Sequence, residues 1–291
     1  MIRSPIKWFG GKSWLVEKII SYIPRECDVV IEAFGGGAWL TLNLPLGRFK
    51  VIICNDINDL LINFWMVLKN SHAELKDAAM HVPDSEVVYG HFEDVINHGV
   101  PYLEKLEDPV EMALAFFYLN THSYSGIHTG FHGLNFSTPT QNQRAYLSKI
   151  DLFEDIWSRI KYVTFKNTDV IDLLKSADRD NVFIYLDPPY FQGGEVYESI
   201  HGGKPWGEED FFRLRERLWE MEHAKILVSI DQGEYFKKEG WHMEEIEKTK
   251  KLRAEAKIGR ETLVMNYEPI GMVENGEKTQ AGSTAADPWY F

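Results

Sequence analysis

The sequence predicts an α/β fold: a Rossmann-like, mostly parallel sheet interrupted by one long, largely helical insertion. Three observations predict it. Short apolar runs alternate with stretches of helical periodicity at both ends of the chain. The first apolar run opens into a glycine-rich loop, Gly35-Gly36-Gly37. A later run, Val182-Phe183-Ile184-Tyr185-Leu186, leads directly into Asp187-Pro188-Pro189-Tyr190. An acidic residue at the carboxyl end of a buried parallel strand lies where open α/β sheets bind their ligands.

Taken in order, Ser13 through Ile23 places Leu15, Val16, Ile19, Ile20 and Ile23 at helical spacing, and Pro24 stops the helix. Asp28 to Glu32 and Val51 to Cys54 read as short buried strands, joined by a helix that starts over Leu40 to Leu44. This is a strand–loop–helix–strand unit, the opening of a Rossmann-like half. Leu60 to Leu68 is helical. Ser71 to Asp108 is acidic and irregular, with weak helices, and Val110 to Leu119 is a strong apolar helix. Asn120 to Gln143 is rich in Gly, Ser, Thr, His and Asn with interleaved aromatics, a loop or hairpin too long to be mere connection. Ile150 to Ile160 returns to helix. Strands at Tyr162 to Phe165 and Val182 to Leu186 flank a helix over Val170 to Lys175. Phe211 to Met221 is a helix, Lys225 to Ile230 a strand, and Trp241 to Ile246 with Glu261 to Tyr267 a terminal antiparallel pair. Phe191 to Trp206 carries two Gly-Gly pairs and reads as a mobile lid or an ordinary surface loop. The polar stretch Glu274 to Asp287 reads as a mobile end.

At 291 residues the chain can bury one good core plus a smaller insertion. No run approaches the roughly 18 apolar residues of a membrane span, and the start lacks the apolar stretch of a signal peptide. Cys27 and Cys54 show no metal spacing and read as buried thiols of a reducing cytosol. The ten histidines show no ligand spacing either, so no metal is expected. The formal net charge of −13 argues against a polyanionic partner at long range, yet screening limits each charge to about 8 Å at physiological salt, so local patches decide. From Met112 to Ile150 there is no Asp or Glu at all, where the chain's average density would give about six. From Lys248 to Arg260 six basic residues stand against Glu255 alone, which a solvated face would explain as readily.

The chemistry centres on Asp187-Pro188-Pro189-Tyr190. Two prolines fix the backbone twice and remove two donors. Asp187 supplies an acidic acceptor, Pro188 a rigid carbonyl and Tyr190 a flat ring, a set that suits a planar group bearing an exocyclic amine. Asp56, after the second strand, can accept ribose hydroxyls. The glycine loop and Asp56 alone do not separate NAD from S-adenosylmethionine.

The wider chain resembles a known family. Lys7-Trp8-Phe9-Gly10-Gly11-Lys12, Ile31 through Ala38, Asn55-Asp56-Ile57-Asn58, the segment Asn120 to Phe136 and Asp187-Pro188-Pro189-Tyr190 follow the motif order of Dam-type (D12 class) DNA adenine-N6 methyltransferases, over roughly residues 5 to 268. The glycine loop departs from the family pattern: Phe34 and Gly36 stand, but Ala38 replaces the last glycine. The resemblance implies a Rossmann-like, S-adenosylmethionine-dependent methyltransferase sheet with an inserted, mostly helical DNA-recognition domain. The expected boundaries are 1–60 and 158–270 for the catalytic domain, 61–157 for the insertion and 271–291 for a flexible tail. It implies methyl transfer to the N6 amino group of adenine in double-stranded DNA. Cytosine-N4 or RNA adenine-N6 methylation, or a non-catalytic DNA-binding relative, are the alternatives. A nicotinamide oxidoreductase would leave Asp-Pro-Pro-Tyr unexplained. Asp187, Pro188 and Tyr190 are the expected catalytic residues. Trp8, Lys12, Phe34, Gly36, Asp56 and Asp187 are the expected contacts of the methyl donor. Asn120, Tyr124, His128, Asn135, Arg144 and Lys149 are the expected contacts of DNA. The expected enzyme is a cytoplasmic monomer of a prokaryotic or phage-infected cell, away from membranes.

Overall fold

The computed structural model describes residues 1–8, 10–99, 108–123, 139–190, 206–252 and 255–269. Its centre is a seven-stranded sheet of β1 (Val29–Glu32), β2 (Val51–Asn55), β3 (Thr164–Lys166), β4 (Val182–Leu186), β5 (Lys225–Ile230), β6 (His242–Leu252) and β7 (Glu255–Met265). The spatial order is β3-β2-β1-β4-β5-β7-β6. The first five are mutually parallel, and β7 enters antiparallel between β5 and β6. The order reverses between β1 and β4, which opens a crevice at their carboxyl ends.

Both faces are covered, which explains why β4 and β5 read as unbroken apolar runs. On one face Ile31, Ile184, Leu186, Ile226 and Val228 pack against α9 (Val170–Lys175) and α10 (Glu208–Glu220). On the other, Val30, Phe183, Tyr185 and Leu227 pack against α1 (Val16–Tyr22) and α2 (Trp39–Asn43).

Between β2 and β3 the chain forms six helices among the described residues: α3 (Asp59–Asn70), α4 (His72–His81), α5 (Glu86–Gly99), α6 (Pro109–His122), α7 (Pro139–Ile150) and α8 (Phe153–Ile160). Asn58 caps α3 by accepting from Leu61 N, and Asp108 caps α6 ahead of Pro109 at its first turn. Helix α6 is the hub. Ten of its residues, Met112 to Leu119 without a break plus Asn120 and His122, are buried. Phe64 stacks on Phe117 with centroids 5.8 Å apart. The same apolar cluster reaches Ala38, Leu42 and Cys54, so the helical layer is packed onto the sheet.

Three expectations are corrected by the structure. The acidic stretch after Ser71 holds two full helices, because Leu75 and Ala79, then Tyr89 and Phe92, recur at helical spacing and are buried. The helix expected from Ile150 to Ile160 is α8, which starts at Phe153, but it is preceded by a further helix, α7, that begins inside the stretch expected to be a loop. The terminal strands are longer than expected. β5 pairs β7 over Thr262 to Met265, while β6 accompanies β7 from Met265 to Glu255. From Glu261 back to Glu255 the pair therefore runs on as a two-stranded ribbon of residues 246–252 and 255–261, which holds the described part of the basic stretch. Tyr124, His128 and Asn135, the proposed lid over residues 191–205 and the tail lie outside the described residues. No helix among the described residues is long and apolar enough to cross a membrane.

Candidate active site

The carboxyl ends of β1, β2 and β4 frame a cavity of about 310 Å³. Trp8, Lys12, Phe34, Gly36, Asp56 and Asp187, all six expected cofactor contacts, line it.

Its floor is the loop after β1. Gly35 donates its N–H to Asn55 O at 2.7 Å, so the two strand ends touch. A Cβ on Gly35 would meet Cys54 Sγ at 2.6 Å. Gly36 has φ +46°, and a Cβ there would sit 2.3 Å from the Trp8 indole nitrogen. Glycine is required at both places, for close approach and for the left-handed turn. Ala38 also adopts a left-handed conformation, φ 53° and ψ 37°. Ala38 thus takes the left-handed conformation that glycine favours, and its methyl group is fully buried.

Carboxylates fix the loop from two sides. Asp56 is buried, accepts from Gly36 N through Oδ2 at 2.9 Å and from Asn58 N through Oδ1 at 3.0 Å. It lines the cavity while the true cap of α3 is its neighbour Asn58. Glu32 accepts from Leu40 N at 3.1 Å and Thr41 N at 2.8 Å, holding the start of α2. Burial pushes its carboxyl up to about 7, against those bonds.

The tetrad closes the cavity. Lys12 is buried, and its Nζ donates to Asp187 Oδ1 at 2.6 Å and to Gly10 O at 3.1 Å. Ser229 Oγ, itself 2.8 Å from Tyr185 Oη, also donates to Asp187 Oδ1, at 3.3 Å. Both contacts fall on one oxygen, and among the described residues Oδ2 has no hydrogen-bond partner. Burial raises the Asp187 carboxyl above its ordinary range, opposed by the Lys12 ammonium and the Ser229 hydroxyl. Tyr190 lies beyond, with Lys12 Nζ 4.8 Å from its ring centroid and its hydroxyl donating to Glu261. Burial, with Asp187 and Glu261 nearby, raises its phenol far above the ordinary range. Among the described residues no group of three metal-ligating side chains occurs.

The residues expected at DNA are not gathered in the same way. Arg144 is exposed on α7. Asn120 is buried, and its amide bonds both ways to the backbone of Lys7, accepting from Lys7 N and donating to Lys7 O at 2.8 Å each. These bonds commit it to joining α6 to the first motif rather than to a base edge. The Lys149 ammonium is enclosed and has no hydrogen-bond partner among the described residues. Burial pushes its pKa down to about 7, helped by the charge of Lys7. It shares the inner face of α7 with Tyr146 and Ile150, three and one residues away, which a helical reading of that stretch would have shown.

Lys149→Met is therefore expected to stabilise the protein by about 1–3 kcal/mol at neutral pH, by removing an unsatisfied buried donor. Between pH 7 and the ordinary lysine value of about 10.4, the unfolded chain binds the extra proton. Wild-type stability should rise with pH across that window and the variant's should rise less. Urea unfolding at a series of pH values checks both.

Sequence reasoning also passed over Ser229, Tyr185 and Glu261. Glu261 had one signal. It falls in the register of Leu263 and Met265, a carboxylate in the inward series of a strand.

A sheet of this order, with a glycine-floored crevice and Asp-Pro-Pro-Tyr at its rim, defines a Rossmann-like methyltransferase. The family model for D12 class N6 adenine-specific DNA methyltransferases matches residues 8–258. The chain belongs to this family, whose members use S-adenosylmethionine and act on adenine in double-stranded DNA. It is 24% identical over 241 residues to Type II methyltransferase M.CviBI of Paramecium bursaria Chlorella virus NC1A, covering 80% of this chain and 84% of that one. It is 29% identical over 194 residues to the DNA adenine methylase of Escherichia coli K12, covering 65% of each chain, just under two thirds. It is 28% identical over 238 residues to the DNA N-6-adenine-methyltransferase of Escherichia phage P1, covering 78% of this chain and 29% of that one.

Proposed function

We propose that the chain methylates adenine N6 in duplex DNA after turning the base out of the helix, with Asp187, Pro188 and Tyr190 receiving it. The observation that carries this reading is the asymmetry of Asp187. Lys12 and Ser229 both bond to Oδ1, no described residue bonds to Oδ2, and Asp187 lines the cavity.

The adenine amino lone pair is delocalised into the ring, so its nitrogen is a poor nucleophile. Asp187 Oδ2 and the Pro188 carbonyl accept the two N–H bonds, which favours a pyramidal nitrogen with its lone pair freed. Such acceptors are set before the base arrives, so little reorganisation is needed. Flipping costs a few kcal/mol, and Tyr190 recovers part of it by stacking, worth ~1–3 kcal/mol per base. The cavity suits S-adenosylmethionine. The Gly35–Gly36 floor allows close backbone approach, and Asp56 offers acceptors for the ribose hydroxyls. That cofactor supplies a methyl group already activated on a sulfonium. Trp8, Phe34 and Lys12 bound the space around it.

Residues 61–157 serve as the DNA-recognition unit in this reading, within the cytoplasm of a prokaryotic or phage-infected cell. Arg144, the described arginine of that unit exposed on α7, faces solvent and so can reach a phosphate. Arg144→Ala should weaken binding to all duplexes alike and lower the salt slope of log K by about 0.9. Fluorescence titrations at several salt concentrations measure it. A change at one base position instead would mean a guanine contact.

Methylation-sensitive long-read sequencing of DNA from an expressing host tests the whole reading. N6-methyladenine at a recurring site is expected. Methylated cytosine, or unmodified DNA from a folded and cofactor-binding protein, would overturn it.

A further inference from the structure

Glu261 is a buried carboxylate on β7, 5% exposed, with a demand for partners that its strand cannot meet. It finds them across the sheet's edge in the catalytic tetrad. Tyr190 Oη is 2.8 Å from Oε2 and 3.1 Å from Oε1, so the hydroxyl is shared between both oxygens. Lys12 Nζ lies 3.6 Å from Oε1. The same ammonium is 2.6 Å from Asp187 and 4.8 Å from the Tyr190 ring centroid.

We propose that Glu261 is a positioning residue for methyl transfer: through Tyr190 and Lys12 it sets the plane of the stacking ring and the direction of Asp187. The proposal rests on the reading of Asp187 and Tyr190 as the site that receives the amine. A tyrosine ring rotates about two bonds, and the stacking face is defined only if something holds its far end. The shared hydroxyl does that, anchored to the rigid pairing of β7 with β5 one residue on, at Thr262 and Ile230. Lys12 is likewise drawn from two sides, toward Asp187 Oδ1 and Glu261 Oε1, which fixes the carboxylate of Asp187 through one oxygen. Glu261 is not among the residues that line the cofactor cavity, so its influence belongs to turnover and not to cofactor affinity. Misplacing a reacting group by about 1 Å can cost ~10²-fold in rate.

The test compares Glu261→Gln, Glu261→Ala, Tyr190→Phe and the Tyr190→Phe/Glu261→Ala double variant, with Asp187→Ala as reference. Readouts are kcat and KM on duplex DNA, calorimetric affinity for S-adenosylhomocysteine, and melting temperature. Glu261→Ala should lower kcat by ~10–100-fold while cofactor-product affinity stays within about twofold. Glu261→Gln keeps a carbonyl acceptor for the tyrosine hydroxyl, so it should recover much of that loss. In the Tyr190→Phe background, removing Glu261 should cost far less than in the wild type, the non-additivity expected of residues acting as a unit. If Glu261→Ala does not fold, Tyr190→Phe decides, since it keeps the stacking ring and removes the hydroxyl that Glu261 holds: a folded Tyr190→Phe with unchanged kcat overturns the proposal. Loss of activity explained wholly by lost cofactor-product affinity overturns it too. If Asp187→Ala turns over like the wild type, the underlying reading of the tetrad falls and this proposal with it. An inactive Asp187→Ala beside fully active Glu261 variants removes this proposal alone.

Discussion

Asp187→Ala is expected to lower the rate of methyl transfer by at least ~10²–10³-fold, the usual contribution of a preorganised polar group aimed at the reacting atom. The variant removes the acceptor Oδ2 and takes from Lys12 Nζ and Ser229 Oγ the Oδ1 on which both converge. The fold should survive. β4 is buried through its apolar residues Val182 to Leu186, and Lys12 retains Gly10 O and Glu261. DNA affinity should change little, since phosphate contacts supply most of it. Asp187→Asn keeps one acceptor and should fall between the two. Single-turnover transfer of a labelled methyl group measures the step directly, and more than about a tenth of the wild-type rate in the alanine variant contradicts the acceptor role.

Asp56→Ala should weaken binding of S-adenosylmethionine and of its demethylated product by roughly 10–100-fold, the worth of one or two hydrogen bonds to a charged group. The side chain has two duties. It presents acceptors to the cavity, and it pins Gly36 N and Asn58 N so that the floor keeps its shape. Asp56→Asn separates these. One amide oxygen can still accept from one backbone donor, while the amide nitrogen confronts the other, so the variant should bind weakly even where a ligand hydroxyl could be satisfied. Calorimetry with the demethylated product gives the affinities, and NAD should not bind. Equal binding by wild type and Asp56→Ala would move the ribose site elsewhere in the cavity.

The parts of this protein that could be read in the sequence are those set by local pattern. β1, β2, β4 and β5 announce themselves as short apolar runs because parallel strands are buried on both faces. The tetrad and the glycine loop are contiguous, so their residue types declare the chemistry. What escaped is what only packing creates. Glu261 and Ser229 are distant from Asp187 in sequence and meet it through strand order. The carboxylate gap from Met112 to Ile150 opens in α6, the strong apolar helix the sequence predicts, which is empty of charge there because it is the hub of the helical layer. Lys149 escaped too, since a positive charge in a neutral stretch implies a phosphate only if it reaches solvent. The helices α4 and α5 were underread because two buried residues per helix suffice when a large partner such as α6 supplies the rest of the contact.

The strand order also dictates when the protein can become itself. β1 lies between β2 and β4. One neighbour follows within about twenty residues, but Val182 arrives some 150 residues after Glu32, with eight described helices in between. As the chain leaves the ribosome, the helices from α3 to α8 find their partners close at hand. The central strand waits with one edge bare. Local contacts form early and long-range strand pairing late, and a bare edge invites pairing with other chains. Truncations ending before residue 182 should therefore be helical and prone to aggregate, and those that include β4 and β5 should be markedly more soluble. Asp187 follows the very strand that closes this gap, so the candidate site comes into being only as the growing sheet loses its most vulnerable edge.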